Sequence, residues 1–298
     1  MTTTARRADP PPAADSALHV RENPASIAAS MGFLLVMTMY FLLPICWLVI
    51  ASTKSQGDLV GSFGLWFSDF QLGDNLSSLF REQDGVFLRW IVNSLLYAGV
   101  GALVGTVLSA MAGYGLAKYA FRGREAVFSV ILGGVLVPAT ALALPLFLLF
   151  TKVDQANTFW SVFLPSIVSP FGVYLSRVYA AASVPDELIE AARIDGAGEY
   201  RVFFTHAIPL MAPALVTIFL FQFVAIWNNF FLPLIMLQDD KLFPITLGLF
   251  TWNSQISRNP ELQILTVVGS LVSVIPLVLL FLALQRFWRT GLAAGGVK

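Results

Sequence analysis

Six apolar runs, each long enough to cross a hydrocarbon core of about 30 Å, dictate what this chain can fold into. They lie at roughly 28–51, 90–116, 126–150, 159–180, 212–237 and 263–285. A run of that length in lipid finds no water for its backbone, so it must close its own hydrogen bonds as a helix. Composition agrees: 57% of the 298 residues are hydrophobic and 12% are charged, about half the charge of an ordinary soluble domain. The reading is an all-α membrane protein with six transmembrane helices. Pro138, Pro145, Pro165 and Pro170 interrupt the third and fourth runs, which membrane helices tolerate when neighbours satisfy the freed backbone groups.

Basic residues orient the bundle. With the N-terminus inside, the inner segments hold about twelve of the 18 lysines and arginines and the outer ones about six, which favours N-in and C-in. Residues 1–26, rich in proline, alanine and charge without periodicity, read as a disordered cytoplasmic tail. Residues 27–285 form the transmembrane domain, and 286–298 a cytoplasmic C-terminal tail. A charged island at 181–211 then faces the cytoplasm between spans four and five. The larger outer segments, about 52–89 and 238–262, read as ordered caps.

Several function classes drop out. The net charge is zero, so there is no basic field for nucleic acid. The one cysteine, Cys46, has no intrachain partner, and neither His19 nor His206 has a metal-ligand neighbour. No Gly-x-x-x-x-Gly-Lys-Ser/Thr loop cradles a nucleotide phosphate. The glycines from Gly99 to Gly105 lie inside a span, where Gly101 and Gly105 read as a close helix-packing face. The spans are almost free of ionisable side chains away from their ends, which disfavours an ion-coupled carrier. The polar residues inside are uncharged. Among them Gln222, Asn228 and Asn229, with Trp227 beside them, are the candidates for a pathway for hydroxyl-bearing substrates, since amides donate and accept and an aromatic face packs C–H surfaces. The same amides serve equally well in interhelical hydrogen bonds.

The island is good helix sequence. Ser183 is the expected N-cap, Pro185 falls in the first turn, and Asp186 and Glu187 sit at the positive helix end. Gly196 is placed to end the helix in a left-handed conformation. A second short helix is expected over about Glu199 to Thr205, after which Pro209 and Pro213 turn the chain back into the membrane. On helix chemistry alone this is also what an amphipathic surface helix looks like.

The order Glu190-Ala191-Ala192, Gly196 four residues after the second alanine, and then Ile208-Pro209 resembles the signature loop of permease subunits in binding-protein-dependent ABC importers. The six-span layout, the segment from Phe223 to Leu234 and the ending Gly291-Leu292-Ala293-Ala294-Gly295-Gly296-Val297-Lys298 are similar to the maltose-type G subunit of carbohydrate importers. His206 departs from the pattern, standing where the family usually has an aliphatic residue. The resemblance implies that the island is a coupling helix docking on a separate ATPase dimer, with Glu190, Ala191, Ala192, Asp195 and Gly196 as the coupling residues. It implies a second homologous permease, an extracytoplasmic sugar-binding protein, and a C-terminal tail reaching the ATPase. The chain itself would need no cofactor and no metal, ATP and Mg being used by the partner, and would be no enzyme. The alternative is a self-sufficient secondary carrier or channel for small polar solutes.

Overall fold

The computed structural model describes residues 24–295, with side chains from 25 to 287. The expected N-terminal tail, apart from its last few residues, lies outside them. The chain divides into two units, 1–46 and 47–298. The described part of the first belongs to α1 (Pro24–Ser52), a helix apolar on every face.

The second unit holds the remaining helices. Two short ones, α2 (Gln56–Gly61) and α3 (Leu72–Arg81), form the cap after α1. Next come α4 (Val86–Leu95) and α5 (Gly101–Lys118), joined through a π turn at Leu96–Val100 into one long rod. Then follow α6 (Arg124–Gly133), α7 (Ala139–Lys152), α8 (Phe159–Ser166) and α9 (Pro170–Ser183). The island contributes α10 (Asp186–Ile194) and α11 (Glu199–Val202). The chain closes with α12 (Ile208–Trp227), α13 (Phe231–Met236), α14 (Ile245–Gln255) and α15 (Leu262–Gly295). The described residues contain no strand. Among the described residues, five helical stretches are long and apolar enough to cross a membrane, and six if the bent pair 124–136 and 139–152 counts as one span.

Three differences from the sequence reading matter. The third run is bent by 102° at Val137–Pro138, because Pro138 pushes the residue before it out of the helical region. The fifth span starts earlier than expected: Glu199 to Trp227 is one helical stretch, in which Pro209 occupies the first turn of α12. The π turn Phe203–Ala207 precedes it, so Pro209 and Pro213 do not turn the chain. Third, α15 runs on through Gly295, past the expected boundary at 285; the final residues 296–298 lie outside the described ones.

Close packing of α5, α9 and α12 forms the centre. A Cβ on Gly113 would lie 2.4 Å from the Ser176 Cβ, and one on Gly105 1.9 Å from the Gln222 Nε2. Glycine is therefore what lets α5 approach α9 on one side and α12 on the other. At the end away from the island, Phe87, Trp90 and Trp252 pack together, with Phe87 stacked on Trp252 at 6.1 Å. The segment 238–245 is fastened there by side chains of α4. The Trp90 indole donates to the Asp240 carbonyl at 2.9 Å, the Asn93 amide donates to the Lys241 and Phe243 carbonyls, and the Ser94 hydroxyl accepts the Ile245 N–H at 2.7 Å.

Candidate coupling loop and membrane cavity

The island folds as a helix, a sharp turn and a second helix. Ser183 is the last residue of α9 instead of a cap; α10 starts after Pro185, whose extended backbone precedes Asp186. Proline already holds the φ that a helix entrance needs, so no side-chain cap is made there. At the other end Gly196 has φ +80°. The Ala197 N–H donates to the Ala192 carbonyl at 2.9 Å and the Gly196 N–H to the Arg193 carbonyl at 3.0 Å. That pair of bonds is a Schellman closure, which needs a left-handed residue at the glycine position.

One face of the island is buried and the other is not. Ile189, Ala192, Val202 and Phe203 pack with Ala110 and Tyr114 of α5, Ala180 of α9 and Met211 of α12. Glu190, Ala191, Asp195 and Gly196 are exposed. With about 100° per residue, Ile194 falls between Glu190 and Ala191 on this outer face, and it is 86% exposed. Tyr200, 75% exposed, and Phe204 extend the apolar surface. The sequence reading did not single out Ile194, although its spacing of five from the inward Ile189 already sets it on the opposite side. His206 lies in the π turn, half-buried, its Nδ1 2.7 Å from the Thr205 hydroxyl.

Two polar ties bind the island to the end of α5. Lys118 meets Asp186 at 2.8 Å. Arg193 grips both oxygens of Glu199, at 2.8 and 3.1 Å, while the Tyr119 hydroxyl donates to the same carboxylate. Burial, and then that hydrogen bond, push the Tyr119 hydroxyl above its ordinary value, so it remains a donor at physiological pH. The Arg193 guanidinium also lies 5.9 Å from the Tyr119 ring centre. The carboxylate thus joins α10, α11 and the α5 end in one cluster.

The second feature lies among the spans. A cavity of about 500 Å³ is bounded by Val137 at the α6–α7 bend, Ser166 and Pro170 at the α8–α9 break, and Asn229 and Phe231 at the α12–α13 break. Three interrupted helices therefore meet at one hollow, and none of its lining side chains is ionisable. Thr140, Ser166 and Asn229 bring its polar groups. Of the four pathway candidates, Asn229 lines this cavity. Asn228 is exposed, its amide turned back to the Val224 carbonyl at 2.9 Å. Trp227 is buried, stacked on Phe223 at 5.6 Å. Gln222 is also buried and donates to the Ser166 and Ile167 carbonyls, each at 3.2 Å; these are groups that the break before Pro170 leaves without helical partners. Gln222 and Trp227 thus sit in the packing behind the cavity. Thr140 and Ser166 belong to the uncharged polar residues that the sequence already places inside the spans, and Val137 appears only once the breaks are seen.

Broken apolar spans around an uncharged hollow, with an exposed two-helix loop at one end, define a polytopic transport permease. The chain belongs to the family of binding-protein-dependent transport system inner membrane components, whose model matches residues 105–292. It is accordingly a multi-pass permease of the bacterial cytoplasmic membrane. It is 37% identical over 257 residues to the arabinooligosaccharides transport system permease protein AraQ of Halalkalibacterium halodurans, covering 86% of this chain and 90% of that protein. The lactose transport system permease protein LacG of Rhizobium radiobacter is 34% identical over 258 residues, with 86% and 90% covered. Among solved structures, a bacterial ABC transporter involved in the import of the acidic polysaccharide alginate matches with a TM-score of 0.78 at 22% identity, over 89% of this chain and 97% of that one; this is a likeness of fold.

Proposed function

We propose that this chain is one of two homologous permease subunits of an ATP-driven sugar importer, forming half of its translocation path. The observation that carries the sugar reading is near-full-length similarity to permeases named for arabinooligosaccharides and lactose. The uncharged cavity at the helix breaks fits it: hydroxyl and amide groups beside apolar surface suit a neutral polyhydroxylated solute. Asn229, with Ser166 and Thr140, is the candidate lining of that path.

In this reading the chain is N-in and C-in and hydrolyses nothing. ATP and Mg are used by a dimer of separate ATPase subunits, and a sugar-binding protein delivers the solute from outside. Glu190, Ala191, Asp195 and Gly196, joined by Ile194, form the face that docks on the ATPase, whereas Ala192, expected among them, is buried and packs the island against the spans. The Arg193–Glu199–Tyr119 cluster carries motion of that face into α5, so closure of the ATPase dimer becomes rigid-body rocking of the spans. The tail, residues 286–298, whose last three lie outside the described residues, is assigned to the same partner.

The test is uptake of labelled arabinooligosaccharides, lactose and raffinose by cells carrying the complete transporter, with this chain as wild type or as Glu190→Lys with Ile194→Asp. Loss of uptake and of ATPase co-purification, with membrane insertion unchanged, is the expected result. Undiminished uptake by the double variant, or uptake by the purified chain alone without ATP, would overturn the reading in favour of a self-sufficient carrier.

A further inference from the structure

The cap between α1 and α3 leaves several large apolar side chains uncovered. Phe63 is 74% exposed, Trp66 and Phe70 are each 70% exposed, and Val60, Leu65 and Phe67 add to the same stretch. A floppy loop with this composition would collapse onto itself, but this turn is held from below. Lys54 is 1% exposed; its ammonium donates to the Ser62 hydroxyl at 2.8 Å and the Phe63 carbonyl at 2.7 Å. The Gln71 N–H donates to the Thr53 carbonyl at 2.7 Å, closing the far side. Asn75 donates to the Ser52 and Lys54 carbonyls, both at 2.9 Å, and so fixes the strap that carries the lysine. A buried cation on two neutral acceptors is a costly device, spent here on presenting an aromatic surface.

The position of the turn identifies what covers it. The Cβ direction of Gly64 points at the Trp47 indole, 3.6 Å from its Nε1. Trp47 precedes the end of α1 by five residues, about 7 Å of helix, and helical side chains lean towards the N-terminus. The turn therefore folds back alongside α1, below the level of Ser52, instead of projecting into water. A helix of 29 residues is about 43 Å long, the thickness of a bilayer including its headgroup layers. The depth of Trp47 is then that of the headgroup–acyl boundary, where tryptophan and phenylalanine are favoured. Between Val60 and Phe70 the only charged residue is Asp69.

We propose that the segment 60–70 is a rigid interfacial anchor, seating Phe63, Trp66 and Phe70 among phospholipid headgroups and the first acyl carbons, with Lys54 as the residue that positions it. A protein partner reaching down from the aqueous side would have to enter that layer to cover the same face. The argument needs only that α1 crosses the bilayer, so it stands apart from the sugar reading. Its test is nitroxide depth measurement on the full chain, with Cys46→Ser, in phosphatidylcholine–phosphatidylglycerol vesicles. Single labels are placed by Phe63→Cys, Trp66→Cys or Phe70→Cys, with Phe41→Cys in α1 and Ser254→Cys, exposed near the end of α14, as references. Labels at 63, 66 and 70 should favour collision with oxygen over a water-soluble nickel chelate, as at 41 and unlike 254. Adding Lys54→Met should shift position 66 towards the aqueous ratio. Nickel access at all three positions equal to that at 254 overturns the proposal. So does protection that arises only when a binding protein or second permease is added, which would make this a protein docking surface.

Discussion

Replacing Gly196 by alanine isolates the contribution of one backbone angle to the island. Gly196 has φ +80°, and a Cβ there meets nothing within 4 Å, so no neighbour is displaced. The penalty lies entirely in holding an L-residue in the left-handed region, about 1–2 kcal/mol. Alanine also narrows the unfolded ensemble, which offsets about 0.4–1 kcal/mol. Gly198→Ala removes that complication. Gly198 has φ −69° and ψ 159°, a conformation open to any residue, and its Cβ also meets nothing within 4 Å. The unfolded-state terms cancel between the two variants, leaving a difference of about 1–2 kcal/mol in opening of the turn, or roughly 5- to 30-fold. Hydrogen exchange read by mass spectrometry over residues 192–198, with the full chain in lipid nanodiscs, measures it. The Ala197 amide, bonded to Ala192, should exchange faster in Gly196→Ala and at or below the wild-type rate in Gly198→Ala. Equal protection in the two variants would refute the argument, because the positive φ would then cost nothing. If the island couples to an ATPase, uptake should fall with the first variant alone.

Gly248→Ala should be far more damaging, since the new Cβ would lie 2.2 Å from the buried Trp90 ring; an overpacking cost of at least about 1–3 kcal/mol should appear as a lowered melting temperature in detergent. Ser94→Ala leaves the buried Ile245 N–H without its acceptor and should cost about 1–3 kcal/mol, read as faster exchange over residues 244–248. Ile194→Asp changes an exposed side chain, so thermal stability should stay within about 0.5 kcal/mol of wild type, while affinity for the ATPase, measured by co-purification and titration, should drop by roughly tenfold or more.

Prolines show most clearly where sequence reading stops. Pro145, Pro213 and Pro276 lie inside helices, while Pro138 and Pro170 stand where helices are interrupted. Composition does not separate the two groups. The difference lies in what receives the freed carbonyls and what restarts the chain. Pro213 leaves the Pro209 carbonyl without its helical donor, yet α12 runs on through it to Trp227. Before Pro170 the carbonyls of Ser166 and Ile167 are taken by Gln222, more than fifty residues along the chain, and the Ser169 hydroxyl accepts the Gly172 N–H to start α9. The apolar runs and the Gly196 turn were legible because length, hydropathy and a glycine C-cap are local properties. Even there Ser183 misled, because proline alone sufficed to start α10. Facing was not legible on α12, a helix apolar on all sides that gives no stripe to separate packed from exposed residues. Gln222 and Trp227 therefore looked as eligible for the pathway as Asn229. What distinguishes Asn229 is the break between α12 and α13: its side-chain oxygen accepts the Leu232 N–H and its carbonyl accepts the Thr246 hydroxyl, bonds that hold it at the open end of α12. A residue at a helix break keeps fewer of its polar groups inside the helix, which is why the cavity draws its lining from the three interruptions.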